Sequence, residues 1–243
     1  MKNYIKKKYD RLLVSSKLLK LKYFYHRTFG EKDIGIIGFN FNDKPHRRTL
    51  IQEIINKKNY KSYLEIGCFA DEVFSKIDCE KKVGVDPYSG GTIRKTSDQF
   101  FLENKENFDC IYIDGLHLYH QVKNDIYNSL NFLNKNGVIL LHDCLPNTVY
   151  DQAVPRCKYN WNGDVWKAIV KVRTKKDLDV YTCYSDQGIG IIFKRDNKNL
   201  LKIDQNDFSK LKFSDYFENY KKYMNLISYK EILNIFWHKS FFY

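Results

Sequence analysis

The sequence lacks the features of membrane-spanning and secreted proteins. It has no run of about 18 uncharged apolar residues, so we expect no transmembrane helix. Its first residues contain neither the apolar segment nor the small-residue cleavage site of a signal peptide. We therefore expect the protein to stay in the cytoplasm.

Paired cysteine motifs are also missing. None of the six cysteines is spaced as C-x-x-C, and none lies near histidines at the spacing of a zinc finger. Internal repeats are absent as well. Several cysteines fall inside apolar segments, which predicts reduced and mostly buried thiols, as is usual in cytoplasmic proteins.

The positive charge is unevenly distributed. The net charge is +12, and residues 1–30 hold nine lysines or arginines against one acid. Such an arm could contact an anionic membrane surface or another polyanionic partner. We favour the alternative, a solvated amphipathic helix within an N-terminal segment that covers residues 1–46.

Residues 47–200 alternate between short apolar strands and helices. This pattern predicts an α/β domain with a mostly parallel sheet and helices on both faces. The last two strands, near residues 178–183 and 188–194, are close enough in sequence to pair as an antiparallel hairpin. Residues 201–243 form a helical, aromatic extension, for which packing against the domain or a homodimer partner is the favoured interpretation.

Polar residues follow the predicted strands of this domain. Ligands of open α/β sheets bind at the carboxyl ends of the strands, so these residues are expected to meet at one edge. Buried charges are costly without partners, which favours a function for this group. The predicted edge comprises Gly67, Asp86, Ser97, Asp98, Asp114, His117, His142 and Asp143.

The first two strand ends predict a nucleoside site. Gly67 permits a tight turn next to a ligand, and Asp86 can accept hydrogen bonds from ribose hydroxyls. The dinucleotide pattern G-x-G-x-x-G is absent, and an acid at Asp71 would repel a pyrophosphate. A cofactor without phosphates fits better. S-adenosylmethionine is such a cofactor, and its cationic end suits acids such as Glu65 and Asp114.

Six motifs follow one another in an informative order: Tyr63–Gly67, Val83–Pro87, Thr96–Phe101, Ile113–Tyr119, Gly137–Asp143 and Trp161–Trp166. Together they resemble the class I S-adenosylmethionine-dependent methyltransferases, which have a Rossmann-like sheet. Within that class the sequence is similar to the branch that methylates oxygen atoms of sugars and other small molecules. It departs from the family in the first loop, where Phe69 and Asp71 replace two glycines.

The resemblance implies roles for the predicted cofactor-binding residues. Glu65 and Gly67 would line the methionine part of the cofactor. Asp86 would bind the ribose, and Ser97 with Asp98 would lie beside the adenine.

The resemblance implies a catalytic centre at the ends of the fourth and fifth predicted strand–loop segments. Asp114 would lie near the transferred methyl group, and His117 is the best candidate for the base that removes the acceptor proton. A purely structural His117 is the alternative. Asp114 and Asp143 occupy positions at which related enzymes bind a divalent cation such as Mg²⁺. Because His142 and Cys144 flank Asp143 where such relatives offer more oxygen ligands, this metal site stays open.

The predicted function is O-methylation of a sugar or other small polar acceptor in glycan or secondary-metabolite biosynthesis. Aromatic residues of the Asp151–Trp166 loop could form a sugar-stacking wall or a packed lid. A non-catalytic scaffold member of the fold, associated with glycan biosynthesis, is the main alternative. Nucleic-acid methylation is less favoured, because the excess charge lies in the arm and no Asn/Asp-Pro-Pro-Tyr motif occurs.

Overall fold

A computed structural model describes residues 16–237 of the chain. The predicted N-terminal helix is present from Ser16 as α1, and the earlier part of the arm lies outside the described residues. No helix in this part of the chain is long and apolar enough to cross a membrane. The helices are α1 (Ser16–Phe29), α2 (Arg47–Lys58), α3 (Ser97–Glu103), α4 (Tyr119–Asn131), α5 (Val149–Gln152), α6 (Val165–Val172), α7 (Phe213–Met224) and α8 (Tyr229–Trp237), with single 3₁₀ turns at Phe74–Lys76 and Phe208–Lys210.

Seven strands form one sheet in the order β2-β1-β3-β4-β6-β5-β7. Parallel pairing joins β1 to β2 and β3, and β3 to β4, whereas β6 lies antiparallel between β4 and β5. The predicted mostly parallel sheet with an antiparallel final strand is confirmed, and the short β7 at its edge is an addition. The strands are β1 (Ser62–Ile66), β2 (Lys81–Val85), β3 (Phe108–Ile113), β4 (Leu133–Leu141), β5 (Leu178–Cys183), β6 (Ile189–Lys194) and β7 (Leu226–Ile227).

The register aligns the carboxyl ends of the four parallel strands. Ile66 of β1 lies beside Val85 of β2 and Ile113 of β3, and Ile113 lies beside Leu141 of β4. The residues that follow these four positions therefore meet at one edge of the sheet. This is the edge at which the sequence places its polar residues.

The alternation of side chains along the strands creates two buried layers. On one face, Leu64 and Ile111 pack with residues of α4, α6 and α7. On the other, Tyr63 and Tyr112 pack with residues of α2 and α8. Both layers contain fully buried side chains, which confirms the prediction of helices on both faces.

The aromatic C-terminal segment packs onto the domain through α7. Phe213 and Tyr216 are fully buried and belong to the same apolar layer as Trp166 of α6. The ring centroids of Tyr216 and Trp166 lie 4.8 Å apart. Residues 213–224 thus complete the core beside α6, while the proposed segment boundaries at residues 46 and 200 stay predictions.

We expect Phe213→Ala to lower the free energy of unfolding by about 3–5 kcal/mol, because it leaves a cavity in a fully buried layer. Urea denaturation measures this loss. The control is Leu102→Ala, whose side chain is 86% exposed and should change stability by no more than about 0.5 kcal/mol. Equal stability of the two variants would mean that α7 does not belong to the cooperative core.

Candidate active site

Gly67 makes the close approach of the first and third strand ends possible. Its φ is 91°, a left-handed conformation that favours glycine. A Cβ atom at this position would lie 2.3 Å from the backbone oxygen of Asp114. Gly67 is therefore required by the tight packing of these two loops, as the sequence predicts.

Two residues that replace family glycines keep the backbone conformation that glycine would provide. Phe69 and Asp71 have φ values of 42° and 59°. Their loop is held by side-chain acceptors: the Asp71 carboxylate accepts from the Gly91 amide at 2.7 Å, and Asp86 accepts from the Phe69 amide at 2.9 Å. These hydrogen bonds offset the cost of left-handed non-glycine residues.

Asp86 organises the loops on both sides of it. Besides the Phe69 amide, its carboxylate accepts from the amides of Tyr88 at 2.7 Å and Ser89 at 2.8 Å. A carboxylate has about four lone-pair sites, so these three bonds leave one for a ligand. Asp86 is 7% exposed and lies in the wall of a cavity.

That cavity has a volume of about 610 Å³ and lies above the carboxyl ends of β1, β2 and β3. All predicted cofactor-binding residues and the predicted base line it. Asp143 is not part of the lining, although it contacts His117 from behind. The predicted residues in the lining are Glu65, Gly67, Asp86, Ser97, Asp98, Asp114 and His117.

Glu65 is a buried acid at the bottom of this cavity. It is 2% exposed and accepts a hydrogen bond of 2.5 Å from the Tyr63 hydroxyl. Burial raises the pKa of Glu65 to about 8, although the Tyr63 hydrogen bond acts in the opposite direction. Without a cationic ligand this side chain is therefore mainly protonated at neutral pH.

Two residues of α4 complete the far end of the cavity, and sequence reasoning missed them. The Gln121 Nε2 atom lies 3.2 Å from Ser97 Oγ and 3.0 Å from Asp125 Oδ1. Asp125 is 1% exposed, and burial raises its pKa to about 6. Their spacing of four residues places both on one side of a helix, which was the available signal.

The predicted catalytic residues form a compact cluster with His142. The His142 Nδ1 atom lies 3.3 Å from Asp114 Oδ1 and 3.3 Å from Asp143 Oδ2. The His117 nitrogens approach the same two carboxylates, with Nε2 3.4 Å from Asp114 and Nδ1 3.3 Å from Asp143. Each carboxylate is thus shared by two imidazoles at the junction of β3 and β4.

The protonation of this cluster follows from its burial and its charges. Burial alone would lower the pKa of His117 and His142, but the adjacent carboxylates raise both values. Burial alone would raise the pKa of Asp114, but the charge of His142 and hydrogen bonds from both histidines hold it well below its ordinary value. The arrangement therefore favours carboxylates balanced by protonated imidazoles.

His117 is oriented by the loop that follows α5. Its Nδ1 atom lies 3.1 Å from the backbone oxygen of Trp161, and its ring stacks on the Trp161 indole at 5.3 Å between centroids. Its side chain is 18% exposed and lines the cavity. This combination of a fixed ring with access to the cavity suits proton transfer.

Arg47 and Asp186 extend the cluster, and sequence reasoning missed both. Asp186 accepts a hydrogen bond of 2.7 Å from the Arg47 amide and lies 3.6 Å from His142 Nε2. The Arg47 Nε atom lies 3.7 Å from Asp114 Oδ2. The sequence predicts Asp186 only as a turn residue between the last two strands. Only the insertion of β6 next to β4 brings that turn to the catalytic edge.

The three aromatic residues of the Asp151–Trp166 loop have different environments. Trp166 is fully buried and donates to Gln152, so it belongs to the core. Trp161 donates to the Ala153 oxygen at 2.7 Å and supports His117. Tyr159 is 74% exposed. Of the three, Tyr159 is the most accessible to a ligand, with Arg156 over its ring at 5.8 Å from the centroid.

The cluster has the geometry of a metal site. One ligand atom from each of Asp114, His117 and Asp143 lies within 4.8 Å of the others. The sequence predicts the two carboxylates, and the structure adds the imidazole. Two carboxylates and one imidazole form a donor set that divalent cations accept.

We expect the stability of the protein to fall between about pH 5 and about pH 8 through Glu65. Its pKa rises from an ordinary 4.5 to about 8 on folding, so the folded state binds the extra proton in this window. Stability is then lost at about 1.4 kcal/mol per pH unit as pH rises. Urea denaturation at about pH 6 and about pH 8 should show a larger loss in the wild type than in Glu65→Gln, where only the raised pKa values of groups such as His117 and His142 still contribute.

The control for this experiment is Glu218→Gln, which changes an exposed glutamate of α7. It should keep the wild-type pH dependence. If Glu65→Gln also kept it, Glu65 would already be ionised at neutral pH.

A model of the family described as a methyltransferase domain matches residues 58–144. Comparison with curated proteins gives no match. The matched segment runs from the end of α2 to the residue after Asp143, so it contains the four parallel strands and most of the cavity.

Two solved structures illustrate what the chain is similar to. An O-methyltransferase from Bacillus cereus, crystallised with S-adenosylhomocysteine, has 11% identity and a TM-score of 0.46, over 76% of this chain and 94% of that chain. The O-methyltransferase TomG of tomaymycin synthesis from Streptomyces achromogenes, crystallised with S-adenosylmethionine, has 11% identity and a TM-score of 0.45, over 77% of this chain and 94% of that chain.

The order of strands, with an antiparallel β6 inserted beside β4, agrees with the fold that the sequence motifs predict. Residues 58–144 are therefore similar to a methyltransferase domain, and the sheet that contains them has the strand arrangement that the sequence motifs predict.

Proposed function

We propose that the protein binds S-adenosylmethionine in the cavity above β1, β2 and β3 and transfers its methyl group to an oxygen atom of a small polar acceptor. One observation supports this above all: the predicted cofactor residues and His117 line one cavity that ends at the acid–histidine cluster. The similar structures from Bacillus cereus and Streptomyces achromogenes contain this cofactor or its product.

The charges of the cavity suit a cationic cofactor without phosphates. Glu65 and Asp114 lie at the end where the ammonium and sulfonium groups would bind. A cation at Glu65 would favour its ionised form and offset the burial that raises its pKa. Phosphate groups would meet carboxylates there, which costs binding energy.

The other end of the cavity suits a nucleoside. Asp86 retains one lone-pair site for a ribose hydroxyl, and Ser97 and Asp98 begin α3 beside it. Thr96 caps that helix in a capping box with Gln99, which fixes the start of α3 against the cavity. The adenine would lie between this helix start and the buried Asp125.

In the proposed reaction the unprotonated form of His117 removes the hydroxyl proton of the acceptor, so activity should increase as the pH rises through the raised pKa of this imidazole. Asp114 and Asp143 hold its ring from two sides and stabilise the imidazolium that forms. S-adenosylmethionine, when bound, would supply an electrophilic methyl group for the acceptor oxygen. The stack on Trp161 keeps His117 in place during this step.

With His117 acting as a ligand instead of as the base, Asp114, Asp143 and His117 would hold a divalent cation such as Mg²⁺ or Mn²⁺. It would supply Lewis acidity that lowers the pKa of the acceptor hydroxyl. His142 lies between the same two carboxylates and already provides positive charge there. A metal would therefore replace part of the charge that the imidazoles now supply.

The finer assignments stay part of this proposal. They are a sugar as acceptor, a place in glycan or secondary-metabolite biosynthesis, a cytoplasmic location, a peripheral membrane contact of the basic arm, and a homodimer. We propose no specific nucleic-acid partner, because the charge that would attract one is concentrated in residues 1–30.

We expect Asp86→Asn to weaken S-adenosylhomocysteine binding by about tenfold or more, because an amide nitrogen cannot accept from a ribose hydroxyl. Isothermal titration measures the affinity, and circular dichroism checks the fold. Asp78→Asn, on an exposed loop before β2, is the matched control.

Unchanged affinity of Asp86→Asn would restrict Asp86 to organising its loops. Absence of binding to the wild type at concentrations up to about 1 mM would overturn the proposed function and favour a non-catalytic scaffold.

We expect the wild type to bind Mn²⁺ and Asp143→Asn to bind it at least about tenfold more weakly, since a ligand is lost. Electron paramagnetic resonance of free Mn²⁺ provides the measurement without any need for activity. Asp78→Asn again serves as control. Equal Mn²⁺ binding by Asp143→Asn would show that the cluster is neutralised by its histidines alone.

A further inference from the structure

A second cavity, of about 1160 Å³, lies beside the cofactor cavity. No described residue lines both. Its walls come from α1 and from the segment over residues 36–42, and its floor includes Leu145, Asn162 and Gln187. Nothing in the proposed role of the cofactor cavity accounts for it.

The floor of the second cavity reaches the catalytic cluster. The buried Asn162 donates a hydrogen bond of 3.2 Å to Asp143 Oδ1. Leu145 follows Asp143 by two residues, and its amide donates to the backbone oxygen of Gln187 at 2.9 Å. Gln187 directly follows Asp186. Each floor residue is therefore linked to Asp143 or to Asp186, through a hydrogen bond or through the adjacent backbone.

The loop around Arg156 separates the two cavities. Arg156 lines the cofactor cavity, and its guanidinium lies 5.8 Å from the ring centroids of both Trp161 and Tyr159. Tyr159 lines the second cavity. The loop therefore separates the two spaces above the cluster, which both of them approach.

Methyl transfer requires the two substrates to meet at one point from different directions. We propose that the second cavity binds the body of the acceptor, a neutral carbohydrate, and that the reacting hydroxyl group passes Asn162 to reach His117 in the cofactor cavity. This inference rests on the proposed function for the position of the reacting centre. The chemistry of the walls supplies the class of ligand.

Amide side chains dominate the polar part of these walls. Asn42, Asn160 and Gln187 have no hydrogen-bond partner for their side chains among residues 16–237. An amide offers two donor hydrogens and an acceptor oxygen. Sugar hydroxyls also donate and accept, so unpaired amides can form hydrogen bonds with them in both directions.

Exposed apolar surface provides the complementary part of the site. Tyr159 is 74% exposed and Tyr23 of α1 is 37% exposed. Ile36, on the opposite segment, is 70% exposed. Tyrosine combines an apolar face with a polar tip, which suits stacking on the C–H face of a pyranose ring while its hydroxyl meets water or ligand. Clustered exposure of this kind marks a binding surface.

The fixed charges favour a neutral ligand. The carboxylate of Asp151 accepts from the Thr148 amide and hydroxyl, both at 2.8 Å, and pairs with Lys158 at 2.6 Å. The acid and the lysine therefore neutralise each other within the wall. Lys20 lies on the exposed side of α1 at the mouth, where water screens its charge.

The test uses a panel of methyl glycosides of neutral hexoses and deoxyhexoses, with glucuronate and glucose 6-phosphate as charged probes. Saturation-transfer NMR titrations measure their dissociation constants with the wild type. We expect at least one neutral glycoside to bind, and Asn160→Ala and Tyr159→Ala to weaken it by about tenfold each. Both side chains are exposed, so the fold should survive.

Two variants serve as controls. Tyr159→Phe keeps the stacking ring and should retain most of the affinity, and Leu102→Ala changes an exposed residue outside both cavities. All variants should bind S-adenosylhomocysteine as the wild type does. That separate titration distinguishes the two proposals, because it reports the cofactor cavity alone.

The inference is overturned if no neutral glycoside binds, if only the charged probes bind, or if Asn160→Ala and Tyr159→Ala bind as tightly as the wild type. Glycoside binding that depends on these residues, in a protein without affinity for S-adenosylhomocysteine, would support the carbohydrate site and refute the proposed function.

Discussion

The candidate active site depends on two buried carboxylates that lie close together. Asp114 and Asp143 end neighbouring parallel strands, and their proximity is stable only because positive charge lies between and beside them. His142 and His117 supply most of this charge, and Arg47 approaches Asp114 from α2. The charges at this edge of the sheet therefore compensate one another. A divalent cation or a cationic cofactor could bind there without leaving a charge unpaired.

The same requirement explains the loops around the cofactor cavity. Glycines would adopt the left-handed conformation of this loop without cost. Phe69 and Asp71 adopt it because carboxylates accept hydrogen bonds from the backbone amides of the loop and its neighbour. Asp86 takes part in this support while it faces the cavity. One side chain therefore orders the loop and is proposed to bind the ribose, which makes its conservative replacement more informative than its removal.

The antiparallel β6 decides what surrounds the reaction centre. By lying between β4 and β5, it brings the turn with Asp186 and Gln187 to the ends of the parallel strands. Asp186 then completes the charge balance, and Gln187 forms part of the floor of the second cavity. The proposed cofactor and acceptor sites are in this way separated by a short loop, and Asn162 links the second of them to Asp143.

The sequence by itself determined the alternating strands and helices, the strand ends and the residues that follow them, because apolar periodicity and glycine positions are local signals. It therefore predicted Gly67, Asp86, Asp114 and His117 at one edge of the sheet. Only the tertiary structure decided that Arg47, Gln121, Asp125 and Asp186 join them, since these side chains arrive from helices and a turn distant in the chain. Contacts between distant segments depend on sheet order and helix packing, and no local pattern encodes the partner of a turn residue. For the same reason the sequence does not distinguish Trp166 from Tyr159, since both are aromatic residues of one predicted loop. In the structure Trp166 is buried against Tyr216, whereas Tyr159 is exposed.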